Sequence, residues 1–280
     1  MLADYHIHSE YSDDSTEFME NIILRAIKLG FDEICFTDHV DYGIKTDHHK
    51  GYRMTPDDFK KADSNLLNVD YPNYFQKIKE LQGKYNGEIS IKQGLEFGIQ
   101  THTIENYQNL YETYDLDFVI LSCHQVNDKE FWNHDFQKGK TADEYNNRYY
   151  QEIYDCINHF KNYSVLGHLD MIQRYNESIY PFEQSREIIT KILSKVIEDG
   201  KGIEINTSSF RYGLKDLMPQ RSILRLYLEL GGKNITIGSD CHIAQDLGDH
   251  IPFVRDELKS LGYTHFCTYE KMNNIHDWPL

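Results

Sequence analysis

The chain has 280 residues, 40% of them hydrophobic and 13% aromatic, enough apolar material for one large folded domain and too much for a disordered chain. Its 45 acidic against 29 basic side chains leave a formal net charge of -16, which disfavours nucleic acid as a bulk partner but still admits a small phosphate ester drawn to a metal-bearing cleft. Five cysteines without regular spacing argue against a disulfide framework, and no stretch approaches the ~18 apolar residues of a membrane span, so a cytoplasmic protein with reduced core thiols is expected.

The first expected element is a strand, "ADYHIH", over residues 3–8. Alternation along it would set Asp4, His6 and His8 on one face and Tyr5 and Ile7 on the other, a spacing that suits a metal ion. A helical period follows at Met19, Ile22, Ile23, Ala26 and Ile27, ended by Gly30. The next strand, "EICFTDH", carries His39 at its far end, and the polar stretch from Asp41 to Asp63, with His48 and His49, is a long insertion. "SIKQGLEF" closes on Glu96. "FVILSCHQV" bears His124, with Ser122 two residues before it, and leads into a second insertion from Asn127 to Tyr149. "SVLGHLD" supplies His168, and a helical period at Ile188, Ile189, Ile192, Leu193, Val196 and Ile197 runs up to Gly200. "GIEINTS" is the one strand whose end supplies neither His nor Glu, and "ITIGSDCH" ends with Asp240 and His242 on one face.

Alternating strands and helices imply parallel pairing, and seven such units with continuous apolar runs predict a (β/α)7-like barrel in one domain over residues 1–280. Parallel strands converge at the C-terminal mouth of a barrel. Six imidazoles (His6, His8, His39, His124, His168 and His242) and several carboxylates would then crowd one cleft, where only cations make them tolerable. Taken singly, each of these histidines reads better as a hydrogen-bonded core residue, so the ensemble carries the metal assignment. A catalytic zinc takes ~3 protein ligands, so this donor set suits two or three ions of Zn, Fe or Mn. The cysteines beside His124 and His242 alternate to the opposite face and are poor ligand candidates.

The ordered motifs "DYHIHSEYSDD", "TDH", "GLE", "SCH", "GHLD" and "SDCH" resemble those of the PHP (polymerase and histidinol phosphatase) superfamily along the whole chain, and "GHLDMIQRY" with "IEINTSSFRYG" looks most like its monofunctional histidinol-phosphatases. The resemblance implies a distorted (β/α)7 barrel with a trinuclear site that hydrolyses L-histidinol phosphate in histidine biosynthesis. It implies a first ion on His6, His8, Glu96 and Asp240, and a second on the bridging Glu96 with His124 and His168. A third would sit on His39, His242 and a carboxylate of "SDD", for which Asp13 is chosen over Asp14. Asp4 and Asp38 would orient neighbouring imidazoles. Glu96, Asp240 and His242 are thus the expected catalytic groups. Arg174 and Arg211, a few residues beyond strands on the metal face, are assigned to the substrate phosphate, whose geometry a guanidinium matches. Asn206, Thr207 and Ser209 border the same edge. Alternatives are another phosphoesterase of the superfamily, acting on phosphotyrosine or nucleic-acid ends, or a non-catalytic metal-binding module. A serine nucleophile at Ser122 is disfavoured, since its spacing from His124 serves a ligand strand equally well.

Overall fold

A computed structural model describes residues 1–47 and 67–280. In chain order the elements are β1 (Ala3–Ile7), α1 (Met19–Leu29), β2 (Glu33–Phe36), β3 (His39–Val40), α2 (Tyr71–Lys84), β4 (Ser90–Gly98), α3 (Ile104–Thr113) and β5 (Phe118–Ser122). There follow β6 (Gln125–Val126), β7 (Lys129–Glu130), α4 (Ala142–His159), β8 (Val165–Leu166), α5 (Phe182–Glu198) and β9 (Gly202–Asn206). The chain closes with α6 (Arg221–Glu229), β10 (Ile235–Gly238), α7 (Ile251–Leu261), β11 (His265–Glu270) and β12 (Asn273–Pro279). His48 and His49, and most of the first insertion, lie outside the described residues.

The strands run parallel in the order β1-β2-β4-β5-β8-β9-β10, and β3 extends the β2 position along β4 by pairing His39 with Glu96. The ring closes where His8 N donates to Cys241 O (2.9 Å) and Asp240 N donates to His6 O (2.8 Å). The architecture is therefore a nearly closed, distorted (β/α)7 barrel. Helices surround it because each carries an apolar stripe: α1 buries Met19, Ile22, Ile23 and Ala26, and stops at Gly30, whose left-handed backbone (φ 78°) lets its amide satisfy the last turn. Among the described residues no helix is long and apolar enough to cross a membrane. All five cysteines are buried and unpaired.

Two features of the barrel interior position the site. The β1/β2 register shifts between Asp4 and Ile7, so that Tyr5 and His6 together stand opposite Cys35. A bulge turns consecutive side chains to one side. Tyr5 therefore packs across the interior on Phe118 (4.9 Å between ring centres, edge to face), while β11 brings Tyr269 to within 5.1 Å of Phe118 and plugs the barrel's lower end. The second feature is glycine: Gly94, Gly98, Gly167, Gly202 and Gly238 line the interior, and a Cβ at Gly98 or Gly238 would clash with Asp41 and His124 or with His6 and Glu204. Polar side chains thus occupy the volume that branched apolar residues fill in ordinary barrels.

The second insertion is compact. It forms the β6–β7 hairpin, buries Phe131 and Phe136, and from Ala142 onward is already helix, started by a Thr141/Glu144 capping box.

Candidate metal centre

Glu96, fully buried near the end of β4, sits at the middle of the cluster. Its Oε1 lies 2.7 Å from His168 Nε2 and 3.1 Å from His124 Nε2, and it accepts from Ser122 Oγ at 2.7 Å. Its Oε2 faces His39 Nδ1 (2.9 Å), His6 Nε2 (3.2 Å) and His8 Nε2 (3.5 Å). Asp240 Oδ1 stands 3.4 Å from His8 Nε2 and 3.7 Å from His6 Nε2. His8 stacks between His39 and His242, with ring centres 4.1 and 4.2 Å away. Six imidazoles and two carboxylates, drawn from six strand ends, therefore share one space.

The charges are strongly coupled. Burial, with His39 and His242 alongside, pushes His8 down to about 3, keeping it neutral and its lone pair free. Burial alone would raise Glu96, but His6, His124 and His39 hold it well below the usual carboxylate range. Burial would likewise lower His124, yet Glu96 and Asp41 carry it up to about 9.

Whether this donor set fits divalent ions can be tested on its unpaired atoms. His6 Nε2, His8 Nε2, His39 Nδ1 and Glu96 Oε2 are buried without a hydrogen-bond partner, a costly arrangement unless a cation takes their lone pairs. The far nitrogens are held: His6 Nδ1 by Glu204 Oε1 (2.5 Å), His124 Nδ1 by Asp41 Oδ1 (2.8 Å), His8 Nδ1 by Ser12 Oγ (3.1 Å) and His242 Nδ1 by Asp240 O (3.0 Å). An acceptor at Nδ1 fixes the proton there and turns the Nε2 lone pair inward, as metal ligation requires. Ligand triads compatible with one ion are His6, His8 and Glu96; His8, His39 and His242; and His39, Glu96 and His124. The residues fit.

Three sequence expectations need correction. Asp13 does not face the imidazoles: its carboxylate is taken by Lys45 Nζ (2.6 Å), and Asp14 Oδ2 instead lies 2.9 Å from His242 Nε2 and 3.4 Å from His39 Nε2. The loop geometry after β1, not the motif, decides which of two adjacent aspartates turns inward. Asp4 does not share the face of His6, because the bulge reverses it; its carboxylate accepts from Ser239 N (2.8 Å) and Gly248 N (3.0 Å) and braces the turn that presents Asp240. Asp38 acts only at one remove, accepting from Ser12 Oγ (2.7 Å), which holds His8. Ser122 Oγ is committed to Glu96 Oε1, with His168 Nε2 at 3.3 Å, which leaves no separate base for a nucleophile.

Two further groups were missed. Glu204 of β9 accepts from the His168 amide (2.8 Å) with the oxygen not engaged by His6, so one buried carboxylate steadies two ligand residues. A charged residue inside the apolar strand "GIEIN" was the available signal. Asp41, at the start of the first insertion, orients His124 and carries no comparable sequence mark.

Arg174 and Arg211 flank Asp240. Arg174 Nη2 donates to Ser208 Oγ (2.6 Å) and approaches Asp240 Oδ2 (3.5 Å), its guanidinium lying 4.0 Å over the Tyr212 ring. Arg211 Nη2 donates to Ser239 O (2.6 Å) and Asp240 O (2.8 Å), across the left-handed Asp240 backbone (φ 55°). Arg174 Nε and Arg211 Nη1 are buried donors without a hydrogen-bond partner.

Residues 4–208 match the PHP domain family. The chain is 33% identical over 273 residues to the histidinol-phosphatase of Lactococcus lactis subsp. lactis (strain IL1403), covering 96% of this chain and 94% of that one. It is 26% identical over 270 residues to the histidinol-phosphatase of Bacillus subtilis (strain 168), covering 88% and 95%. A crystal structure of the histidinol phosphate phosphatase from Lactococcus lactis, complexed with zinc, L-histidinol and phosphate, superposes with a TM-score of 0.84 at 32% identity, over 98% of this chain and 99% of that one.

Proposed function

The chain belongs to the PHP domain family, and on that premise we propose that it hydrolyses L-histidinol phosphate to L-histidinol and inorganic phosphate, as a histidinol-phosphatase of histidine biosynthesis. The observation that carries this is the buried ring of imidazole nitrogens around Glu96, in a chain alike end to end with enzymes of that name. The site takes divalent metal ions; three of them, Zn, Fe or Mn, is the finer reading. His6, His8, Glu96 and Asp240 would hold the first, Glu96, His124 and His168 the second, and His39, His242 and Asp14 the third. When bound, such ions would neutralise phosphoryl oxygens and lower the pKa of a water, so that hydroxide is available to attack the ester phosphorus.

The chain's own residues do the rest. Glu204, Asp41 and Ser12 keep the protons of His6, His124 and His8 on Nδ1, so these rings cannot turn, or move that proton to Nε2, without losing a hydrogen bond. Arg174 Nε and Arg211 Nη1 are buried N–H groups without a hydrogen bond, Arg211 Nη1 facing the Asp249 carboxylate only at 3.7 Å, which supports their role as phosphate donors. Covering Arg174 with Tyr212 removes water from one face of the guanidinium, which strengthens its pull on an anion. The reading takes residues 1–280 as a single phosphatase domain acting in the cytoplasm on a small phosphate ester, with neither nucleic acid nor membrane as partner.

The test is phosphate release from histidinol phosphate, a phosphotyrosine peptide and single-stranded DNA, each with and without a chelator, alongside elemental analysis. Efficient, chelator-sensitive turnover of histidinol phosphate and more than one ion per chain are expected. Turnover of another substrate in preference would displace the proposal, and a folded, fully loaded sample with at most one ion would overturn the multinuclear site.

A further inference from the structure

Lys45, in the first insertion, is a buried basic side chain at the rim of this acidic cleft. Its side chain is 8% exposed, and its ammonium lies between carboxylates from two loops, 2.6 Å from Asp13 Oδ1 and 2.9 Å from Asp41 Oδ2. The loop after β3 folds so that Lys45 N donates to Asp41 O (2.8 Å), which puts the Asp41 and Lys45 side chains together. Beyond each carboxylate stands a member of the proposed ligand set. Asp13 adjoins Asp14, which faces His39 and His242, and the second oxygen of Asp41 holds His124 Nδ1. Asp41 reaches that ring because Gly98 has no side chain: a Cβ there would lie 1.9 Å from Asp41 Oδ1.

We infer that Lys45 is a positioning residue of the metal centre, joining the Asp14 loop to the Asp41–His124 pair so that both rims of the ligand set stay in place. It touches neither substrate nor ion. Two carboxylates this close repel unless a cation separates them, and a buried ammonium with two charged partners holds both at hydrogen-bond distance. Without it Asp13 swings toward solvent and draws the adjoining Asp14 from His39 and His242, while Asp41 faces uncompensated burial beside His124. The inference rests on the metal-centre reading and is independent of which phosphate ester is hydrolysed.

The test compares the wild type with Lys45→Met and Lys45→Arg as full-length, metal-stripped proteins titrated with Mn(II) alone, followed by elemental analysis after gel filtration. Lys45→Met should bind about one ion fewer per chain, or bind it at least ~10-fold more weakly, the scale of losing an outer partner of a ligand. Lys45→Arg, which can still bridge two carboxylates, should restore it. In loaded protein, Lys45→Met should lower kcat while leaving KM for histidinol phosphate unchanged. A folded Lys45→Met with a wild-type Mn(II) titration overturns the inference, and so does a raised KM with full metal content and normal kcat, the mark of a direct substrate contact. If Lys45→Met does not fold, Asp13→Asn at the more exposed end serves instead: a weakened titration supports the linkage, an unaltered one overturns it. Because the titration contains no substrate, inactivity of the wild type toward histidinol phosphate would count against the proposed function alone.

Discussion

Single atoms decide most at Glu204. Both its oxygens accept, one from His6 Nδ1 and one from the His168 amide, inside a barrel where neither donor could find water. Glu204→Gln preserves the shape but replaces one acceptor with an NH2 group, so one of those donors is orphaned. Metal affinity should fall ~10–100-fold with the fold retained, measured by competition with a chromogenic chelator; an unchanged affinity would mean that His6 holds its tautomer without Glu204. Arg211→Ala should reduce kcat/KM by at least ~10-fold, because hydrogen bonds to charged groups contribute about 1.5 to 3 kcal/mol. Lysine should restore little, having the charge without the planar fork. Metal content must match the wild type in that comparison, since Arg211 also braces the Asp240 backbone. If Arg211→Ala and Arg174→Ala both keep their ions and unchanged kinetics, the phosphate is held by the ions alone.

At the level of elements, the interior glycines are part of the site. A methyl at Gly98 would fall on the Asp41 carboxylate and the His124 ring, so Gly98→Ala should destabilise by about 1–3 kcal/mol, as overpacking does, and weaken metal binding. Gly83, late in α2 with open space around its Cβ position, is the contrast: Gly83→Ala should stabilise by about 0.4–1 kcal/mol. Denaturant midpoints of the two variants test both statements, and equal effects would refute the steric account. The turn after β8 gives a pH signature. Burial raises the Asp170 carboxyl to about 6, although it accepts from Gln220 N at 3.0 Å. The native state then binds that proton more tightly than the unfolded chain between an ordinary aspartate's pKa and about 6. Stability is therefore lost as pH rises through that window, and the penalty is complete above it. Asp170→Asn lacks this slope. The wild-type thermal midpoint minus that of the variant should fall from pH 4 to about 6.5 and then level off; parallel curves would exclude a buried, titrating Asp170.

For the whole molecule, the ion cluster is coupled to folding. Ligands gathered from six strand ends are not gathered in the unfolded chain, so ions bind the native state almost alone. Ions at 100 times their dissociation constant add about 2.7 kcal/mol. Adding Mn or Zn to stripped protein should raise the thermal midpoint by several degrees, and a chelator should reverse it; a midpoint indifferent to both would show that the barrel closes without regard to the centre.

Much of this was legible before folding, because in a parallel barrel each strand's C-terminal end is a local feature and all such ends meet at one mouth. The order of strands and helices, the barrel, and the six imidazoles with Glu96 and Asp240 could be read from segments of a few residues each. The choice between Asp13 and Asp14, the partners of Arg174 and Arg211, and the roles of Glu204, Asp41 and Lys45 could not. Those depend on side chains far apart in the chain, as with His6 and Glu204, on the β1 bulge that turns Asp4 away from His6, and on glycines that leave room only once strands are side by side. Periodicity along a chain states which residues share a strand face, but a bulge changes that parity by a single residue. Which carboxylate finally meets which imidazole is set by packing across the barrel, where steric exclusion and the cost of an unpaired buried charge leave only one arrangement.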